Sequence, residues 1–362
     1  MGLQKTKKKM ALKIIISIIL LAGLQFIFKS FSTHRTKAET PVDKAWWDGL
    51  SAEWKNILLI NQNFKNQRSD IFALQREYIN RMNAQNEDDY SEMNKSLHEL
   101  NEIRKFSLGY TDLYARALRY KFVIHNDSID LATLQDLDMI YLVNGPGDLT
   151  PLKKFPNLKI LILNGCGIGN SISMNHQPLN LEPLRYLKKL QVLQCSSVAL
   201  QSIEPIKGLG DLQELNIDNS SVTDLSPLKT LVNLEVLSVG DEVETATVIS
   251  QLINLKALFI KGCKQIPDLS NLTRLKKLSI GENELSVIDG NYRITSIGFL
   301  KNLSALEFLD LDNTSFKGSL NVTNTLQNLK AITLPAVNTA SMQEFKKNHK
   351  NCIIINAFQY ER

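Results

Sequence analysis

Two phenylalanines in the second half of the chain, Phe259 and Phe308, stand among Lys261, Lys277, Asp310 and Asp312. Aromatic anchors ringed by charge are the composition of protein-binding surfaces, where the rings supply apolar area and the charges select the partner. Tyr141, Ile162, Glu214, Asn216 and Asp218 occupy equivalent places in the sequence pattern that holds these residues. Together they predict recognition of a protein or peptide, with a second reading open for Tyr141 and Ile162, which would instead lie beneath a helical cap. No residues are spaced for catalysis. His34, His98, His125, His176 and His349 are dispersed, and H-E-x-x-H, G-x-S-x-G and phosphate-binding glycine loops are missing from the sequence. The run DLDNTSFKGSLN from Asp310 loosely matches a calcium loop but lacks its glycine at place 6 and its glutamate at place 12. The sequence therefore predicts no enzyme, no cofactor and no metal.

What positions the candidate residues is a phrase written nine times, with leucine at places 1, 4 and 6 and a small or polar residue at place 9. It begins at Leu137, Leu158, Leu190, Leu212, Leu234, Leu255, Leu275, Leu306 and Leu329, in steps of 21, 32, 22, 22, 21, 20, 31 and 23 residues. A period near 22 with this spacing predicts a leucine-rich repeat solenoid. Side chains alternate along a strand, so leucines 4 and 6 turn inward and places 3, 5 and 7 face the open, concave side. Every candidate named above sits at one of those outward places. Place 9 closes the turn: Cys166, Ser220, Cys263, Asn283 and Thr314 suit it, whereas Gly145, Val198, Glu242 and Val337 predict less regular turns. The second half of the unit, best seen in Val222–Leu228 (VTDLSPL), has a proline and little length, which suits a 3₁₀ or extended back.

The two long steps place extra residues at 167–177 and 285–293, both after place 9 and hence on one rim. Insertions confined to one face of a repeat array are often part of the binding surface. Cys166 and Cys263 share place 9 four repeats apart, roughly 19 Å along a ladder of strands, too far for a disulfide. Cys195 falls at an inward place, so buried free thiols are expected.

The net charge of +5 is concentrated at the start. Residues 1–40 hold eight Lys/Arg against one Glu, and the remainder 34 basic against 36 acidic residues, so the body shows no nucleic-acid-binding balance. After the lysines comes an apolar run from Ala11 to Phe28, long enough at roughly 27 Å to cross a hydrocarbon core. The run is longer than a signal peptide's apolar region, which predicts a transmembrane anchor with an exported body at the cell surface or in the periplasm. A cleaved leader would make the protein secreted.

Residues 29–40 read as a tether. From 41 to 117 the apolar period is helical, with one stripe through Trp47, Leu50, Trp54, Ile57 and Leu58, which predicts a small helical cap. The cluster of Trp46, Trp47 and Trp54 is read as core. Residues 118–136 resemble a degenerate first repeat, and the run Cys352–Phe358 (CIIINAF) predicts a capping strand within 346–362.

The period and the SPL backs over 118–345 resemble the SDS22-like class of bacterial leucine-rich repeats found in the internalin family. That resemblance implies an α/β solenoid with a curved parallel sheet and a short 3₁₀ convex side, whose concave face grips a protein partner. Two other readings stay open at this point: an enzyme or enzyme accessory acting through the 41–117 helices, and a structural component of the cell envelope.

Overall fold

In a computed structural model, the structure describes residues 42–63, 65, 129–142, 145–166, 178–240, 247–262, 266–281, 294, 296–311, 314, 316–335 and 339–356. Ten short strands follow one another in chain order and pair in parallel in a single sheet. They are β1 (Met139–Tyr141), β2 (Ile160–Ile162), β3 (Val192–Gln194), β4 (Glu214–Ile217), β5 (Val236–Val239), β6 (Ala257–Lys261), β7 (Lys277–Gly281), β8 (Phe308–Asp310), β9 (Ala331–Leu334) and β10 (Ile353–Asn356). Nine of these are the nine sequence phrases; the tenth is the run after Cys352.

The register explains why leucine recurs. Leu161, Leu193, Leu215, Leu237, Leu258, Leu278 and Leu309 are successive partners across the sheet, so each place-4 leucine stacks on the next. With the leucines at places 1 and 6 they form one continuous buried core. Truncating any of them would leave a cavity costing about 2–5 kcal/mol.

Short 3₁₀ turns form backs at Thr150–Lys154, Glu182–Tyr186, Glu204–Ile206, Ser226–Thr230, Thr247–Gln251, Gly298–Asn302 and Asn321–Thr325, and the first four of these carry the predicted proline near their start. A short polar residue sets up most of them. Asp148, Asn180, Ser202, Asp224, Ser296 and Ser319 each accept a hydrogen bond from the backbone N–H two residues on. This is the role of Asx and Ser/Thr turns: they satisfy a donor that so short a helix leaves orphaned.

The turns after β2, β3, β4 and β6 share a rule that the leucine pattern does not reveal. Place 8 takes a left-handed backbone at Gly165, Ser197, Asn219 and Gly262, with φ of 68°, 55°, 52° and 62°. Glycine and asparagine tolerate that conformation and serine does so with strain. Place 9 then closes the turn as expected. The Cys166 thiol donates to the Leu142 carbonyl at 3.2 Å, Thr314 to Leu311 at 2.7 Å and Ser220 to Ile217. Cys263 and Asn283 lie outside the described residues. Repeats are also stitched by asparagines just before the first leucine: Asn233, Asn254 and Asn328 donate to the carbonyls of Gly210, Val232 and Ser304 in the preceding unit.

The first strand's outer edge is covered by helix. Helix α1 (Lys44–Asp48) is capped by the Asp43 carboxylate, and α2, residues 52–63, begins with the Ser51 hydroxyl accepting from the Trp54 N–H. Trp54 is 2% exposed and donates its indole N–H to the Asp148 carbonyl, while Leu58 joins the repeat core and Trp46 meets Phe155 edge-on. Asn61 then serves as a surrogate strand: its amide accepts from the Tyr141 N–H at 2.9 Å and donates to the Tyr141 carbonyl at 3.2 Å. A parallel sheet's edge would otherwise leave those groups unpaired. Gln62 holds the start of α3 (Leu131–Leu134) in the same manner, through Asp130. The rest of the expected 41–117 cap and the first part of the 118–136 repeat lie outside the described residues.

At the other end, β10 pairs with β9 as the β-rich run predicts. It is reached through a helix, α4 (Thr339–Asn348), whose Phe345 is buried against the core and stacked on His349 at 4.5 Å. The 346–362 segment thus holds the end of a helix as well as a strand. Among the described residues no helix is long and apolar enough to cross a membrane, and residues 11–28 lie outside them.

Candidate protein-binding face

Places 3, 5 and 7 do share one face, and that face has two halves. On β1–β3 it is closed: Met139, Tyr141, Ile160, Ile162 and Val192 are buried, yet none belongs to the main core cluster. They form a second apolar layer on the far side of the sheet. Tyr141 and Ile162, two of the predicted binding residues, are therefore shut away from solvent.

From β4 onward the face changes. Phe259 on β6 and Phe308 on β8 are half-buried, and Lys261 is exposed. Phe259 is paired in register with Ser238 and Ser279, whose small side chains let the ring stand clear. Lys277 on β7 sets its ammonium 4.6 Å from the centre of the Phe308 ring, a cation–π contact with its partner in register. Although Lys277 is a candidate binding residue, its side chain is buried. Asp310 is buried too, accepting hydrogen bonds from Ser279 at 3.0 Å and from Thr333, one strand to either side. Its role is to hold three strands together. Asp312 lies outside the described residues.

The acidic residues of β4 make the third part of the face. The Gln194 amide on β3 donates to the Glu214 carboxylate at 2.8 Å, and burial pushes the Glu214 carboxyl up to about 7. Asn216, two residues on, is buried and accepts from the Asp218 N–H. Asp218 reaches across β5 to Lys261 on β6, Nζ to Oδ2 at 3.2 Å. The strand crossed has Gly240 at that place, where an added Cβ would come within 2.1 Å of Asp218 Oδ1. Any other residue at 240 would obstruct this bridge. Gln194 was not among the predicted site residues. Its signal was available in the register, because place 5 of one repeat lies diagonally beside place 3 of the next.

Beside this face, place 2 carries a row of ion pairs. Lys256 meets Glu235 at 2.7 Å, and Glu307 sits between Lys276, at 3.0 Å, and Lys330. Burial works to raise the Glu307 carboxyl, but the bonds from Lys330 and Lys276 outweigh it and hold the group below its usual value. The thiols of Cys166 and Cys195 are free and buried, and burial pushes both up, Cys166 to about 11, which disfavours the reactive thiolate. Cys352 is also free. No group of three His, Cys, Asp or Glu among the described residues is placed to hold a metal ion. The insertions at 167–177 and 285–293 fall outside the described residues.

A family model described as a leucine-rich repeat region matches residues 139–347, more than half of the chain. The chain belongs to the leucine-rich repeat family. Among solved structures it is similar to internalin C2 of Listeria monocytogenes, with 23% identity, 57% of this chain and 73% of that one covered, and a TM-score of 0.37. It is also similar to the internalin inlF of the same organism, with 20% identity, coverage of 67% and 87%, and a TM-score of 0.39. A leucine-rich repeat protein of Leptospira interrogans gives 20% identity, 57% and 62% coverage, and a TM-score of 0.41. No curated protein matches the chain. The family match establishes the repeat architecture that the leucine spacing predicts; such regions are in general protein-interaction modules.

Proposed function

We propose that this protein is a non-catalytic binding module, anchored in a membrane by residues 11–28 with its body exported, that grips a protein or peptide on the β4–β8 part of its concave face. One observation carries the reading. Phe259 and Phe308 stay half-buried on the β4–β8 part of the face, as does Val236 on β5, and the same stretch carries the exposed Lys261 and, on and just after β4, Glu214 and Asp218. Aromatic side chains left open beside charge are what an interface core and rim require. The anchor rests on the apolar run after the lysine cluster and the direction of export on the position of that cluster.

The test is capture from membrane and surface extracts with the full-length chain beside a Phe259→Ala/Phe308→Ala variant. A partner held by the wild type and released by a variant with unchanged circular dichroism and melting supports recognition through this face. Equal capture by both would end the concave-face reading.

A further inference from the structure

The charge of the body is unevenly placed. Residues 145–190 hold six Lys/Arg against two acids; taken from the 34 and 36 of residues 41–362, they leave 28 basic against 34 acidic elsewhere. All six, Lys153, Lys154, Lys159, Arg185, Lys188 and Lys189, lie on the first two backs or on the turns that lead from them into β2 and β3. The two backs pack against each other, so these side chains form one patch. Lys153 sets its ammonium 5.2 Å from the centre of the Tyr186 ring, and Lys189 reaches Asn157 of the preceding repeat at 2.9 Å. Burial holds the Lys159 ammonium below its usual value, and Lys189 adds to this against the pull of Asp138. The two acids are engaged locally: Asp148 accepts the Thr150 N–H, and Glu182 binds Arg185 at 2.6 Å. Tyr186, within the patch, is 57% exposed. A tyrosine open among lysines suits a membrane–water interface, where the ring enters the headgroup layer and the cations meet its phosphates. The same patch lies where the chain enters the body. Val42 is buried in the repeat core, and Trp46 meets Phe155, the residue after Lys154. The tether read from residues 29–40 spans at most roughly 40 Å when fully extended. A surface tied that closely to a bilayer meets it at high effective concentration.

We infer that this patch rests on the anionic phospholipid headgroups of the membrane that holds residues 11–28. The inference rests on the anchored reading and adds an orientation to it. The backs of the first two repeats face the bilayer, and the concave face on the opposite side of the solenoid is turned away to meet its partner. Tyr186 is the interfacial ring, and Lys153, Lys188 and their basic neighbours are the phosphate contacts.

The test places the full-length chain in nanodiscs of phosphatidylcholine alone, or of phosphatidylcholine with about 30% phosphatidylglycerol to supply the anionic surface. Brief lysine acetylation is then read residue by residue by mass spectrometry. Lys153 and Lys188 should react about three-fold or more slowly in the anionic discs, and about 0.5 M NaCl should abolish the difference by screening. Lys261, exposed on the concave face, should react alike in both discs. In Lys188→Gln/Lys189→Gln, a surface change checked by unchanged melting, Lys153 should regain reactivity in the anionic discs. Equal reactivity of Lys153 and Lys188 in the two discs would overturn the inference and leave the anchor standing. Protection that extends equally to Lys261 would also overturn it, since the patch would then have no preference for the lipid. So would protection of Lys153 that survives in the double variant. Failure of the chain to enter either disc would remove the anchor itself, and the inference with it.

Discussion

The two halves of the sheet's open face share a backbone and differ in what their outward side chains do. On β1–β3 these side chains are buried, and the adjoining edge is sealed by α2 through Trp54 and Asn61. On β4–β8 the same places hold half-exposed rings, a carboxylate bridged over a glycine, and an exposed lysine. One end therefore spends its outward positions on stability, and the other leaves some of them open, as the proposed recognition requires. The sharpest way to break this comparison is to truncate an aromatic side chain at each end. Trp54→Ala should lower unfolding free energy by about 3–5 kcal/mol, since it opens a core cavity and strands the Asp148 carbonyl. Phe259→Ala should cost under about 1 kcal/mol, because its ring is only half removed from water. Chemical denaturation monitored by tryptophan fluorescence and circular dichroism would decide; similar losses at both sites would mean that the open half is core after all.

Glu214 marks the border between the halves, and its titration tests how closed that border is. Its carboxyl is pushed by burial from an ordinary 4.5 up to about 7. Between those values the folded protein binds a proton that the unfolded chain does not, so stability falls as pH rises through the window and levels off above it. Glu214→Gln removes the titration. It should raise stability at about pH 8 by about 1–3 kcal/mol and leave it nearly unchanged near pH 5. Denaturant midpoints at the two pH values give the answer. A variant equally shifted at both would place the Glu214 carboxyl in water.

Much of this organisation was legible before any coordinates. Leucine at places 1, 4 and 6 predicts every strand from β1 to β9, because a period-2 strand inside a period near 22 can bury those leucines in only one register. Val222–Leu228 likewise announces a 3₁₀ back through its proline. Three features were not legible. Place 8 is left-handed after β2, β3, β4 and β6, but the residues found there, Gly165, Ser197, Asn219 and Gly262, share no side-chain chemistry that a pattern search would collect. The burial of Tyr141 and Ile162 was one of two readings left open, because it depends on what packs over the face, which the repeat phrase does not encode. The Asp218–Lys261 bridge spans 43 residues and exists because Gly240, between them in the sheet, is small. Of the candidate residues, Lys261 is exposed and Phe259 and Phe308 are half-buried, whereas Asp310 and Lys277 are buried in contacts with their own neighbours.

Gly240 allows a finer cut within the open half. In Gly240→Ala the new methyl collides with Asp218 Oδ1, so the carboxylate must rotate away and release Lys261. The expected loss of stability is about 1 kcal/mol, combining mild overpacking with loss of a surface ion pair. The informative control is Lys261→Met, which removes the bridge without the collision. If Gly240→Ala costs no more than Lys261→Met, the carboxylate has another rotamer available and the glycine is not what shapes this corner.

The smallest effect bears on the premise that both halves share one backbone. Ser197, after β3, and Gly262, after β6, take the same left-handed place-8 conformation with φ of 55° and 62°. A serine there is strained, and a glycine relieves the strain at the cost of extra chain entropy when unfolded. Ser197→Gly should therefore stabilise the fold by only about 0.5 kcal/mol, and Gly262→Ala should destabilise it by about 1 kcal/mol. The opposite signs are the point, because they follow only if the two turns are the same turn in different sequence dress. Should Ser197→Gly lower the melting temperature instead, the serine side chain is itself holding the turn after β3, and the closed half differs from the open half in its backbone as well as its surface.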